Sequence, residues 1–206
     1  MPYVLSILLA GVCVFAQAAD AQVRINTLTK VCQDALVHAD YPTAEKVCQE
    51  AVVEAEQGAP NTRVHAVALN NLASLYYVQG HYGQAESLYQ RALAMREHVL
   101  GPTHPQVAQT LNNLAVLYHV QGHYDQAESL YERALAIWEH ALGPTHPEVA
   151  STLADLAVLY DAQGHYGQAE SLYERALAIR EQSLGTNHPD TKKSWNNLAA
   201  IRAKMP

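Results

Sequence analysis

Residues 79–93 read QGHYGQAESLYQRAL, and the phrase returns as QGHYDQAESLYERAL at 121–135 and as QGHYGQAESLYERAL at 163–177. No enzyme needs three copies of one active-site helix. A structural unit that buries one side only against a copy of itself does need them, so the repetition points to stacking. The period is 42 residues: Gly80, Gly122 and Gly164 mark it, and so do His104, His146 and His188, each inside a (P/T)-(T/N)-H-P stretch.

Each unit reads as two helices. Leu69, Leu72, Ala73 and Tyr76 share one face at the i, i+3, i+4, i+7 spacing, which predicts the first helix. Gly80 closes it, because glycine takes the left-handed conformation that stops a helix. Ala85, Leu88, Tyr89, Ala92 and Leu93 form the matching stripe of the second helix. The run LGPTHP then breaks the chain, and Pro105, Pro147 and Pro189 suit the first turn of the next helix, where no N–H is needed. Ala73, Ala85 and Ala92 recur as Ala115, Ala127 and Ala134, then as Ala157, Ala169 and Ala176. Alanines at these offsets predict two antiparallel helices in close approach. Tyr76, Tyr82 and Tyr89 are expected to fill the space between one pair and the next.

The pattern L-x-x-L-A-x-x-Y followed by G-x-Y-x-x-A-x-x-x-Y-x-x-A-L resembles the tetratricopeptide repeat. The 42-residue spacing and the LGPTHP connector are similar to the subtype found in kinesin light chains and in many bacterial proteins. The resemblance covers residues 62–204 and implies an all-α fold: a right-handed α-solenoid of antiparallel helix pairs, about four pairs plus a C-terminal capping helix. A more degenerate pair precedes the clear units, because Tyr41, Ala44 and Ala51 match Tyr82, Ala85 and Ala92. Its first helix is expected to carry Leu28, Val31, Cys32 and Ala35, and its connector, AEQGAPNTRVH, is one residue shorter. The organisation expected is therefore a signal peptide at 1–18, a degenerate pair at 19–61, three 42-residue units at 62–188 and a cap at 189–206. The cap carries Lys192, Lys193, Arg202 and Lys204, which suits the solvated end of a solenoid.

The amino terminus has a different composition. An apolar stretch runs from Val4 to Ala16, with no charge before Asp20. It is too short to span a bilayer as a helix, and its length fits the apolar core of a secretory signal peptide. Ala16-Gln17-Ala18 supplies a small-x-small site, so a cut is expected between Ala18 and Ala19. The chain is then secreted or periplasmic, with no membrane span after cleavage. The alternative is an uncleaved anchor, since no Lys or Arg precedes the apolar core. A lipoprotein is disfavoured because Val12, not a small residue, precedes Cys13. Of the 206 residues 49% are hydrophobic and 16% charged, ordinary for a globular chain, and the net charge of −7 argues against a nucleic-acid partner.

After cleavage two cysteines remain, Cys32 and Cys48. An even number in an exported chain favours a disulfide, and by register both face the contact between the helices of their own pair. The alternative is two buried thiols packing as small hydrophobes. The histidines repeat with the unit, as His81, His123 and His165 at a helix junction and His104, His146 and His188 in the connector, and no H-x-x-x-H pair shares a helix. They are read as copied structural roles, so no metal site, no cofactor and no catalytic residue is expected. Glu86, Glu128 and Glu170 also repeat, and read as solvated helix faces.

The asparagines carry the functional expectation. Asn70-Asn71, Asn112-Asn113 and Asn196-Asn197 recur, with Ala154-Asp155 in the remaining slot. The second residue of each couplet points away from the apolar stripe of its helix. In the fold that the resemblance implies, the first helix of each pair lines a concave groove. Asn71, Asn113, Asp155 and Asn197 would then form a ladder along it, and amides both donate to and accept from an extended peptide backbone. The alternative is that these side chains bond only to the neighbouring helix. Specificity is expected at positions that vary between copies: Ser74, Val116 and Val158, then Tyr77, His119 and Asp161. The function implied is a non-enzymatic scaffold that holds a peptide or partner protein. The competing reading is a structural component acting through self-association or docking to an envelope complex.

Overall fold

The computed structural model describes residues 2–205, and side chains from Ala19 onward. The expected signal peptide, 1–18, and the cut after Ala18 fall outside the described side chains. The described residues form helices and no strands: α1 (Pro2–Val37), α2 (Tyr41–Gly58), α3 (Arg63–Val78), α4 (Tyr82–Leu100), α5 (Pro105–Val120), α6 (Tyr124–Leu142), α7 (Pro147–Ala162), α8 (Tyr166–Leu184) and α9 (Pro189–Arg202). The chain divides into two compact units, Met1–Gly101 and Pro102–Pro206. In the first, α1 packs on α2 and α3 on α4, with α3 against both α1 and α2; in the second, α5 packs on α6 and α7 on α8, and α9 lies on α8. Consecutive antiparallel pairs of this kind are the solenoid architecture the repeats predict.

The repeated phrase makes the turns. Gly80 has φ of +78°, and the Gly80 N–H donates to Tyr77 O (3.0 Å) while the His81 N–H donates to Tyr76 O (2.8 Å). That pair of bonds caps the orphan carbonyls at the end of α3. It also sets the His81 ring 5.9 Å from Tyr76, a contact copied at His123–Tyr118 and His165–Tyr160. The junction histidines thus cover the helix end. The connector histidines have a different task. Nδ1 of His104, His146 and His188 accepts the N–H of Gln106 (3.1 Å), Glu148 (3.2 Å) and Asp190 (3.2 Å), so each is the N-cap of the helix that its proline begins. An imidazole nitrogen does here what Ser or Asp does at most helix starts.

All nine repeat alanines are fully buried: Ala73, Ala85 and Ala92 in the first unit, and Ala115, Ala127, Ala134, Ala157, Ala169 and Ala176 in the second. The tyrosines behave differently from expectation. Tyr89 lies within its own pair, its hydroxyl 2.9 Å from Ser74 Oγ, and is buried like Tyr131 and Tyr173. Tyr82 is only half-buried and its ring sits 6.0 Å from that of Tyr77. Only Tyr76 of the three reaches the neighbouring pair as expected, accepting from Gln49 Nε2 of α2 (3.3 Å), and Tyr160 at its register in the second unit donates to Glu128 of α6 (2.6 Å).

The glutamates also depart from the sequence reading. Glu128 and Glu170 are not solvated faces: Glu128 accepts from Tyr160, and Glu170 from Arg202 Nε (2.7 Å). Glu128 thereby ties down α7, the first helix of the following pair, and Glu170 ties down α9. Arg91 to Glu56 (2.9 Å) and Arg175 to Glu139 join successive second helices in the same way. The cap is stitched as well as solvated. Arg202 reaches Glu170 and Glu174, Trp195 Nε1 donates to Glu181 (3.1 Å), and Lys204 pairs with Asp161.

The degenerate pair buries Ile25, Thr29, Cys32 and Ala35 of α1 against Ala44, Cys48, Ala51 and Ala55 of α2. Val31, expected on that stripe, is 41% exposed, because the true stripe steps through Ile25, Thr29 and Cys32. Cys32 and Cys48 are joined as a disulfide, Cα–Cα 5.1 Å, fully buried between the two helices. Closing 16 residues of chain restricts the unfolded state by about 3 kcal/mol. That support falls on the pair with the weakest repeat pattern.

The alanine contacts are testable. Ala115→Leu and Ala134→Leu each place extra methylenes into a fully buried site, and each is expected to lower stability by about 1–3 kcal/mol. Chemical denaturation checks this, and unchanged midpoints in both would contradict the close helix approach.

Candidate functional site

The first helices of the pairs carry the polar couplets, and burial sorts them. In the first unit Asn70 and Asn71 are both buried. Asn71 Nδ2 donates to Thr29 O of α1 (3.4 Å) and its Oδ1 accepts from Gln33 Nε2 (3.5 Å). Asn71 therefore ties α3 to the first helix of the preceding pair. Ser74 donates to Asn70 O (3.0 Å) and faces the Tyr89 hydroxyl, whose pKa burial pushes up to about 12. Tyr77 is half-buried beside Tyr82.

In the second unit the same tie takes another form. Asn112 Nδ2 of α5 donates to Asp155 Oδ2 of α7 at 3.1 Å. Asn71 both donates and accepts; Asp155 can only accept, so the donor comes from the neighbouring couplet. Asp155 makes no ion pair among the described residues. Burial holds its carboxyl above the usual carboxylate range, opposed by the Asn112 hydrogen bond and by Arg180, Lys193 and His119. His119, half-buried with its ring 6.0 Å from Tyr124, is held below its ordinary value by burial, with Asp155 pulling the other way. Asp161 receives Lys204 Nζ on both oxygens, at 2.6 and 2.8 Å. Asn113 and Asn197 are half-buried and Asn196 is exposed.

The structure thus gathers Asn112, His119 and Asp155 into one cluster and sets Asp161 with Lys204. It places Asn71 within the first unit as a helix tie. Sequence reading missed Arg180, whose Nη1 donates to Ser194 Oγ (2.6 Å), and also Lys193 and Tyr173. The Tyr173 pKa is pushed up to about 12 by burial and by Asp161 and Asp155. The signal was present in part: aligned on the 42-residue period, Lys193 falls four residues before Asn197, one turn away on the same helix face. The arrangement is one of hydrogen-bonding and charged groups on a helical face. Among the described residues no group of three His, Cys, Asp or Glu is placed to hold a metal.

The tetratricopeptide repeat sequence pattern matches residues 38–98, 64–140 and 107–182. The chain belongs to the tetratricopeptide repeat family. Its architecture is similar to the crystal structure of BtubC (BKLC) from P. vanneervenii, with a TM-score of 0.75 and 24% identity over 93% of this chain and 84% of that one. It is also similar to kinesin light chain nearly identical TPR-like repeats from Podosopora anserina, with a TM-score of 0.73 and 23% identity over 88% and 86% of the two chains. No curated protein sequence matches the chain. Tetratricopeptide repeats generally bind other proteins and are generally not enzymes. Among the described residues of this repeat protein no helix is long and apolar enough to cross a membrane.

Asp155 gives a prediction with a definite sign. Its folded-state pKa is raised, so the folded chain holds that proton more tightly than the unfolded chain does. The ionised carboxylate is then a cost at neutral pH that disappears as pH falls below the unfolded value. Asp155→Asn, which restores the amide found in the other three slots, is expected to raise the melting temperature at pH 7. That gain is expected to shrink toward pH ~3.5, below the unfolded Asp value. Thermal melts across pH check it; equal or lower stability at pH 7 would contradict the burial argument.

Proposed function

We propose that this tetratricopeptide repeat protein is an exported, non-catalytic scaffold that holds a peptide or partner protein along the first-helix face of its pairs. In this reading residues 1–18 are a signal peptide cut between Ala18 and Ala19, and the mature chain works in the periplasm or outside the cell. The degenerate pair at 19–61, the three units at 62–188 and the cap at 189–206 form the scaffold. Asn113, His119, Asp155 and Asn197 contact the partner, and Asp161 tunes which segment fits.

The observation that carries the reading is Asp155. A fold selected for stability alone would keep the amide that stands at 71, 113 and 197. A half-buried carboxylate in that slot works against folding, and departures of this kind from the local rule concentrate at functional positions. The same face changes identity from Ser74 to Val116 and Val158, and from Tyr77 to His119 and Asp161, while the packing residues are copied.

A second reading rests on Trp195. At the same register Leu69, Leu111 and Leu153 are fully buried, whereas Trp195 on α9 is 49% exposed. That face supports self-association or docking to an envelope complex.

Capture from native envelope extract tests the first reading. Wild type is compared with an Asn113→Ala, Asp155→Asn, Asn197→Ala triple variant, which leaves the Asn71 tie intact. A partner bound by wild type and reduced about tenfold or more by the variant, a change of about 1.4 kcal/mol, is the expected result. Equal capture would move the binding surface elsewhere. Sedimentation of wild type and Trp195→Ala decides the second: a monomer at all concentrations in both would remove self-association.

A further inference from the structure

Position 65 breaks the repeat where its neighbours do not. The residues at this register in the other units are Val107, Val149 and Thr191, all fully buried; here a histidine is buried to 4% exposure. His65 Nδ1 accepts the Asn61 N–H at 3.4 Å, so the ring is neutral and its proton sits on Nε2. Nε2 is itself buried with no hydrogen-bond partner. A buried donor left unsatisfied is an uncommon feature that asks for an explanation.

The segment that the imidazole holds is also unlike its counterparts. The connector between α2 and α3 lacks LGPTHP, and Asn61 turns it with φ of +55°, a conformation rare outside glycine. Thr62 Oγ1 donates to Ala59 O (2.6 Å) and accepts the His65 N–H (3.4 Å), capping α3. The charged groups facing the ring are Glu56 from α2 and Arg91 from α4, themselves an ion pair at 2.9 Å. His98 of α4 shares with Asn61, His65, Arg91 and Met95 a surface cavity of about 510 Å³.

We propose that His65 is a proton-operated latch on the α2–α3 connector of the first unit. A second proton, on Nδ1, sets two donors face to face, the imidazolium N–H against the Asn61 N–H, and places a charge in a slot built for valine. The hydrogen bond to Asn61 is lost. The cavity gives the ring room to swing out toward Glu56, which gives up Arg91. The connector from Ala59 to His65 loosens with the first turn of α3. The disulfide between Cys32 and Cys48 keeps α1 on α2, so the opening stays at this seam. Burial is the largest influence on the ring and favours its neutral form, with Glu56 opposing and Arg91 assisting. An opened state therefore binds the proton more tightly than the closed one. The latch holds above the ordinary histidine value of about 6.5 and is released as pH falls below it.

Hydrogen exchange of the full chain, read by mass spectrometry from pH ~7.5 to ~4.5 and corrected for intrinsic rates, tests this. Protection across residues 59–70 is expected to fall by up to about tenfold per pH unit below about 6.5, while peptides spanning Cys32 and Cys48 hold theirs. His65→Val, the residue of the equivalent sites, is expected to keep the connector protected throughout. His65→Thr, matching Thr191, serves if the valine variant does not fold. In wild type, the Asn61 amide resonance is expected to move with the titration of the His65 ring. Loss of protection in the variant equal to that in wild type, no loss in wild type, or an Asn61 amide that stays still while His65 titrates would each overturn the latch.

Discussion

Two helices can pack antiparallel at short range only where neither carries bulk at the crossing, and in this chain that constraint falls on alanine. Ala73, Ala85 and Ala92 and their counterparts are buried completely, and each pair closes around them. The closure has a consequence. A pair joined by small side chains has a thin interior, and larger residues look beyond it: Leu69 of α3 is buried in a core shared with Ile25 and Cys32 of α1. Stacking is the way the chain completes its core.

Once stacking is obligatory, the polar residues acquire structural work. The junction histidines lean on the tyrosines that precede them, and the connector histidines cap the next helix. Glu128 ties down α7 through Tyr160, and Glu170 ties down α9 through Arg202. These bonds are individually modest and most are partly exposed. The value of the glutamate bonds is geometric: one joins α6 to the next pair and the other joins α8 to α9, and both limit how these helices slide. The same logic covers Asn71, which spends both ends of its amide on α1.

The candidate site stands out where this shared logic is broken. Asp155 occupies an amide slot with a group that cannot donate, and His65 occupies a valine slot with a group that titrates. Both are uncomfortable in the folded chain for one reason, burial of a group that prefers water. The remainder of each repeat is optimised for stacking, so such positions are the natural places to look for recognition and response.

The period of 42, the helix pairs, the turns at glycine and the disulfide-forming positions were all legible in the chain, because each depends on local geometry or on spacing copied three times. The first helix of the degenerate pair was legible only in part: with no second copy to compare, Val31 was set on the buried stripe that Ile25, Thr29 and Cys32 occupy. The asparagine couplets could be found by repetition, yet repetition cannot tell a groove residue from a tie between helices. Which of these each became was decided by tertiary packing. Asn71 is buried against Thr29 and Gln33, while Asp155 is left half-buried beside Asn112, His119, Arg180 and Lys193. The physical reason is that a residue's neighbours along a helix follow from the 3.6-residue turn, whereas its neighbours across the stack depend on how far each pair is offset from the last. That offset is set by contacts distant in sequence, and it determines the desolvation and partners from which a polar side chain takes its role.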